Sequence, residues 1–246
     1  MFKRYYNLLP FLIFFGSFLF AKNVDDIIKK AESYRIRSNS VKVETEVKLY
    51  KEDVLYKSNK YRVFIKPGRR SLIKFLSAQE SGQKVLMIQD KFWILMPSSR
   101  RPIRITPMQK LLGEASTGDI AIMTWSEFYS GKIVDLNTTY AEKPAILLEL
   151  NSKVKGTTYE RIELWVSKEK YIPFAANLFL KSGKMAKKAI YQTKKIDTQI
   201  MINRMTLIDN IQKGRRTEVL INSITPYELP DKYFNPMFLV RNDLED

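Results

Sequence analysis

The clearest pattern in the chain is a strict alternation of apolar or threonine side chains with charged ones. Val41, Val43, Thr45, Val47 and Leu49 occupy every second position, and lysines and glutamates separate them. Successive side chains of a β-strand point to opposite faces of the sheet. The segment therefore predicts a strand with one buried and one solvated face, which is typical of an antiparallel sheet.

Similar apolar segments recur along the chain, and turn signals such as Pro67-Gly68 and Ser182-Gly183 separate them. We predict ten more strands, at residues 61–66, 71–76, 84–89, 92–96, 145–150, 161–167, 174–181, 185–192, 205–208 and 217–224. With little helix between them, they favour a mainly β fold of about 10–11 antiparallel strands.

Helical spacing occurs at two places. Asn23 is a suitable cap for a helix that begins near Val24 and ends near Tyr34, with apolar residues spaced to form one buried stripe. Between residues 97 and 131 the strand pattern stops, and Met108, Leu111 and Leu112 lie at helical spacing. A second short helix is possible from Ile120 to Trp125. Such an insert is either a packed corner or a mobile lid.

The first residues have the layout of a signal peptide. Lys3 and Arg4 precede an apolar run from Leu8 to Phe20, and the small residue Ala21 stands before a polar stretch. We predict a signal peptide over 1–21 and a single domain over 22–246, exported to a periplasm. The alternative is an uncleaved N-terminal anchor.

Composition excludes several kinds of chemistry. The chain has neither cysteine nor histidine, so disulfides, Cys or His catalysis and thiolate or imidazole metal sites are impossible within it. Its formal charge of +16 favours anionic partners. We expect transient contact with an anionic membrane surface. We expect no binding of nucleic acid, because export separates the protein from nucleic acid. A solvated basic rim is the simpler alternative.

A sheet with so many one-sided strands must cover its apolar face. If it curls without filling its interior, it leaves a cleft that suits a lipid tail; otherwise the same residues form a solid core. The candidates for the lining of such a cavity are Val43, Val47, Val63, Ile65, Met87, Trp93, Leu95, Leu112, Ile120, Trp125, Leu148, Leu164 and Leu178. The hairpin around Trp93 is apolar on both faces, which suggests that a lid covers one face and the barrel wall the other.

Several segments of the chain are similar in sequence to the members of a known family. The run Gly113-Glu114-Ala115-Ser116-Thr117-Gly118-Asp119-Ile120 is the most specific of them. Further similarities follow in order at residues 70–73, 85–87, 92–97, 101–105, 171–174, 182–184 and 209–210, and at Pro230, Tyr233, Phe234 and Leu239. Together they resemble the outer-membrane lipoprotein-sorting family related to the periplasmic carrier LolA.

The resemblance implies a half-open antiparallel β-barrel with short α-helices forming a lid in its concave face. It implies a hydrophobic cavity for the acyl chains of lipoproteins or other lipids, and an association with inner-membrane transporters of the RND class. It also implies a basic residue inside the barrel that tethers the lid, for which Arg62 and Arg204 are the candidates. The simpler interpretation of each is a surface residue of a strand.

The segment around Gly113 has two interpretations. Gly113 and Gly118 permit unusual backbone angles, and Ser116 and Asp119 can cap a following helix, which makes this a lid or cap loop. Direct contact with a lipid head group or a partner is the alternative.

We therefore predict a monomeric periplasmic carrier or chaperone with no cofactor, no metal and no catalytic residue. The alternative is an envelope sensor or adaptor domain that binds a protein partner. An enzyme using paired carboxylates, such as Glu44 with Glu46 or Glu160 with Glu163, is the least favoured class, because both pairs lie among charged strand neighbours.

Overall fold

A computed structural model describes residues 23–36, 40–105, 124–196 and 199–241. Over these ranges the chain forms a 13-stranded antiparallel sheet, in the order β6-β5-β4-β3-β2-β1-β13-β12-β11-β10-β9-β8-β7. The sheet is open, and β6 and β7 are its edge strands. Almost every strand pairs with its sequence neighbour, and the pairing of β1 with β13 joins the two halves of the meander.

Two α-helices and three short 3-10 helices accompany the strands within the described ranges. The α-helices are α1 (Val24–Glu32) and α2 (Trp125–Phe128). The strands are β1 (Val41–Lys51), β2 (Val54–Lys66), β3 (Arg70–Phe75), β4 (Lys84–Ile88), β5 (Lys91–Leu95), β6 (Ile103–Ile105), β7 (Tyr129–Tyr140), β8 (Lys143–Ser152), β9 (Arg161–Ser167), β10 (Pro173–Phe179), β11 (Met185–Ile196), β12 (Gln199–Asp209) and β13 (Arg215–Pro226). The 3-10 helices are Ala78–Glu80, Asp231–Phe234 and Pro236–Phe238.

The mainly β, antiparallel prediction is confirmed, and each of the eleven predicted strands has a counterpart. The predicted number of strands was too low because β6 and β7 were not recognised. Most of β7 is exposed, and two register shifts interrupt its pairing with β8. An exposed edge strand with bulges does not alternate regularly, so its sequence lacks the pattern that identifies β1.

One face of the sheet carries a continuous apolar cluster. Its buried members come from strands far apart in the sheet order, such as Phe92 on β5 and Leu148 on β8. Residues so distant along a sheet share one cluster only if the sheet curves, so we call this face concave. Helix α1 lies in it and contributes Ile27, Ile28 and Ala31.

A separate apolar cluster lies on the opposite, convex face. Phe64, Leu72, Leu86 and Leu95 of the sheet pack there against the C-terminal strap, residues 227–241. The buried amine of Lys84 holds the end of the strap by donating to the carbonyls of Leu239 and Arg241, at 3.0 Å each. Strands β2 to β5 are consequently covered on both faces.

Two contacts bring together parts of the chain that are distant in the sheet order. The backbone N–H of Gly68, in the β2–β3 turn, donates to the Glu127 carboxylate of α2 at 3.1 Å. Gly156, in the β8–β9 loop, lies so close to Asp90 that a Cβ at Gly156 would be 2.8 Å from the Asp90 carbonyl oxygen. In the part of the chain that the structure describes, no helix is long and apolar enough to cross a membrane.

Candidate ligand pocket on the concave face

Helix α1 is built to lie on an apolar surface. The Asn23 side chain accepts a hydrogen bond from the Asp25 N–H at 3.0 Å and so caps the first turn. The apolar stripe faces the sheet, and Gly131 of β7 permits the close approach, because a Cβ there would lie 2.6 Å from Ile28 Cδ1. Both the helix and its cap are as the sequence predicted.

The C-terminal end of α1 is fastened to the start of α2. The Glu32 carboxylate accepts hydrogen bonds from the Ser126 backbone N–H at 2.8 Å and from the Ser126 hydroxyl at 3.1 Å. A carboxylate at the N-terminal end of a helix satisfies backbone donors that have no partner within the helix. The guanidinium of Arg35 lies over the Trp125 ring at 4.6 Å. These contacts hold α1 across the concave face.

A pocket remains between this helical cover and the sheet. Its cavity volume is about 50 Å³, and the open space around its mouth brings the total to about 440 Å³. The cavity itself is therefore smaller than most ligand pockets, which measure about 300–1,000 Å³. Its lining combines aromatic and aliphatic side chains with one cation: Arg35, Trp125, Tyr129, Thr158, Tyr159, Ile162, Leu178, Tyr191, Met205 and Leu207. An apolar pocket beside a guanidinium suits an amphiphile with an anionic head group.

The buried phenol of Tyr129 has a structural role at this pocket. Its hydroxyl donates to the Tyr159 carbonyl oxygen at 3.0 Å. Burial raises the pKa of Tyr129 far above its ordinary value of 10. The phenol therefore stays neutral at physiological pH and acts as a fixed hydrogen-bond donor.

Most of the predicted cavity residues lie together in the concave cluster. These are Val43, Val47, Val63, Ile65, Met87, Trp125, Leu148, Leu164 and Leu178. Trp125 and Leu178 line the pocket itself. The others are fully packed core residues, so the solid-core and pocket interpretations each describe part of this face.

Two predicted cavity residues lie elsewhere. Leu95 belongs to the convex cluster, and Trp93 packs against it. The C-terminal strap covers them, whereas the lid was expected to do so. Leu112 and Ile120 fall outside the described residues, as does the predicted lid or cap loop of Gly113, Ser116, Gly118 and Asp119.

The two arginines proposed as lid tethers point away from the concave face, and the loop predicted to form the lid lies outside the described residues. Arg62 lies opposite Glu44 on the convex face and binds its carboxylate at 2.5 Å. Arg204 pairs with Leu220, one residue from Val219, whose side chain belongs to the concave cluster. Alternation along the strand therefore directs Arg204 away from the pocket.

Arg35 is a basic residue that the structure brings to the pocket, beside Trp125. It lies three residues after the end of α1, in the turn that follows the helix, where its guanidinium reaches the Trp125 ring. Helical spacing does not extend to this turn, so no sequence pattern identified Arg35.

Three of the four carboxylates considered for catalysis have partners. Glu44 binds Arg62, and Glu163 binds Arg161 and accepts from Asn177 at 3.0 Å. Neither Glu44 nor Glu163 lines the concave pocket.

Comparison with known proteins places this architecture in a family. A family model described as "Uncharacterized protein" matches residues 68–241. The chain belongs to that family. Its fold is LolA-like, because it is similar to a LolA superfamily protein from Nitrosomonas europaea with a TM-score of 0.77 and 26% identity, over 85% of this chain and 96% of that one.

Two further solved structures share the fold. A DUF1329 family protein from Desulfovibrio piger has a TM-score of 0.70 and 20% identity, over 87% of this chain and 97% of the other. An outer membrane lipoprotein-sorting protein domain from Vibrio parahaemolyticus has a TM-score of 0.70 and 18% identity, over 88% and 98%. No curated protein sequence matches the chain.

Proposed function

We propose that the protein is an exported, non-enzymatic carrier that binds the acyl chains of lipids or lipoproteins on the concave face. The observation that carries the proposal is the apolar pocket between the sheet and α1, with Arg35 at its edge. The LolA-like fold and the similarity to a LolA superfamily protein support it. The finer proposal is transfer between the inner and outer membranes, with an RND-class transporter as the inner-membrane partner.

The energetics of the concave face suit a ligand that competes with α1 for the same apolar surface. Burying a methylene contributes about 0.8 kcal/mol, so a ~16-carbon chain gains on the order of 10 kcal/mol in a dry cavity. The pocket beside α1 is small, and Ile27, Ile28 and Ala31 occupy the adjoining concave face. A long chain would therefore enter the pocket first and displace α1 as it lengthens.

Native mass spectrometry with lipid extraction tests the proposal. The exported protein is recovered without detergent, and its mass also shows where the chain begins. We expect bound lipid in the wild-type protein. In Leu178→Trp, an indole fills the pocket, and we expect lipid occupancy to fall at least about tenfold. Leu136→Trp, at an exposed site on β7, is the matched control.

A wild-type protein that carries no lipid and takes up none when lipid is offered would contradict the carrier proposal. Co-purification of a stable protein partner in the same preparation would then favour the sensor or adaptor alternative. Equal loss of lipid in both tryptophan variants would show that the pocket is not the site.

A further inference from the structure

The hairpin between β1 and β2 projects beyond its neighbour in the sheet. Strand β2 pairs with β1 from Val54 onward, but it pairs with β3 only from Tyr61 onward. The projecting arm begins with three consecutive apolar residues. Their exposed fractions are 66% for Val54, 47% for Leu55 and 44% for Tyr56. Three consecutive apolar residues with so much exposed surface are little packed within the chain itself. They indicate a surface that is covered by a membrane or by another molecule.

The neighbouring turn presents similar residues at the same end of the sheet. The Glu52 N–H donates to the Gly214 carbonyl at 2.8 Å, which joins the β1–β2 turn to the β12–β13 turn. Ile211 in that second turn is 47% exposed, and Ile208 just before it is also exposed. We call residues 51–56 and 208–216 the docking end.

The docking end interleaves these apolar groups with cations. The registers place Leu55, Tyr50, Arg216 and Ile208 in one row across four adjacent strands. Arg216 stacks on the Tyr50 ring at 3.9 Å. Lys51 and Lys213 are exposed beside the row.

Three of the carboxylates at this end are engaged with its own groups, whereas Glu52 is exposed. Asp53 lies 3.4 Å from Arg216, and Glu218 also binds Arg216. Asp209 accepts from the backbone N–H groups of Ile211 and Gln212 at 2.7 and 2.8 Å. Projecting apolar side chains among lysines and arginines are typical of a surface that binds anionic lipid. At such a surface the apolar groups enter the acyl boundary and the cations contact the phosphates.

The docking end also adjoins the concave pocket. Leu207 lines the pocket, and its sequence neighbour Ile208 points to the other face of β12 at the docking end. We propose that the docking end binds the surface of an anionic lipid bilayer and so brings the pocket to the membrane from which, or to which, an acyl chain moves. This inference rests on the proposed carrier function and deepens it.

Co-sedimentation with lipid vesicles tests the docking end. The exported wild-type protein is expected to bind phosphatidylcholine vesicles that contain about 30% phosphatidylglycerol, to bind pure phosphatidylcholine more weakly, and to dissociate as salt rises from about 0.1 to about 0.5 M. We expect Leu55→Ser to weaken vesicle binding about tenfold, because the variant loses the isobutyl group that would be buried in the lipid. Leu136→Ser is the matched control, because Leu136 is 45% exposed on the remote strand β7.

A second measurement separates this inference from the carrier proposal. Leu55→Ser is expected to retain uptake of a soluble fatty acid, whereas Leu178→Trp is expected to lose uptake and retain vesicle binding. Unchanged vesicle binding in Leu55→Ser, or an equal loss in Leu136→Ser, would overturn the docking end while leaving the pocket assignment intact. A wild-type protein that does not bind anionic vesicles would also overturn the assignment of the docking end.

Discussion

At the scale of single residues, Lys66 joins the C-terminal strap to β2. Its amine binds the carboxylates of Asp231, at 2.7 Å, and Glu228, and Arg70 also binds Asp231 at 2.9 Å. Hydrogen bonds from Lys66 lower the pKa of Asp231 and of Glu228, and hydrogen bonds to Asp231 and then Glu228 raise the pKa of Lys66. The three groups therefore stabilise one another in their charged forms.

The pKa directions predict the pH range over which this cluster contributes to stability. The Asp231 contribution is complete above its ordinary pKa of 3.8 and is lost as the pH falls through the lower folded value. The Lys66 contribution is complete below 10.5 and is lost as the pH rises through the raised folded value. The strap should consequently be most firmly held between these limits.

We expect Asp231→Asn to lower the Tm slightly at pH 7, since the carboxylate is exposed and solvent screens the ion pair. The difference from wild type should vanish once the pH falls below the lowered pKa of Asp231, where the wild-type carboxylate is protonated. Thermal unfolding followed by circular dichroism across this range measures it. Glu169→Gln, at an exposed turn, controls for the change in net charge. A difference that does not vary with pH would contradict this account.

At the scale of elements, the Glu32–Ser126 contact determines how firmly α1 covers the pocket. Glu32→Ala removes two hydrogen bonds to a carboxylate, so we expect the free energy of local opening of α1 to fall by about 1–3 kcal/mol. Hydrogen exchange of the α1 amides measures that opening. A protein in which α1 opens more readily should also take up fatty acid faster, as stopped-flow fluorescence would show.

Glu169→Ala, a glutamate at an exposed turn outside the pocket, is the control for this experiment. If Glu32→Ala leaves α1 exchange unchanged, α1 is held by its apolar stripe alone. If exchange accelerates and uptake does not, α1 is not the barrier to ligand entry.

At the scale of the whole molecule, the contact between Gly156 and Asp90 joins loops from two halves of the curved sheet. Gly156 and Gly183 have nearly equal positive φ values, +77° and +78°, but an added Cβ meets Asp90 at Gly156 and nothing within 4 Å at Gly183. A substitution at both sites therefore has the same backbone cost and a different contact cost.

We expect Gly183→Ala to lower the free energy of unfolding by about 1–2 kcal/mol, the cost of a positive φ in a residue with a Cβ. Gly156→Ala should cost a further ~1–3 kcal/mol, because the backbone of Asp90 must move. Urea denaturation measures both values. An equal decrease in the free energy of unfolding in both variants would show that the contact between Gly156 and Asp90 can open at no cost in stability.

Local chemistry in the sequence determined much of this architecture. The alternation in β1 predicts its buried face unambiguously, since the other face is charged, and Asn23 with the apolar stripe that follows predicts α1 and its packing. The LolA-like fold could also be recognised from short segments in the right order. These signals are local, because side-chain period and helix capping depend on neighbouring residues.

Long-range packing decided the rest. The hairpin around Trp93 is apolar on both faces, so period two reveals two faces without revealing which is concave. Phe92 packs into the concave cluster, while Trp93 and Leu95 meet the C-terminal strap, which is more than a hundred residues away in the chain. Arg35 becomes the basic residue of the pocket only because α1 lies against Trp125. Such choices depend on which distant segments meet, and only the tertiary structure brings those segments together.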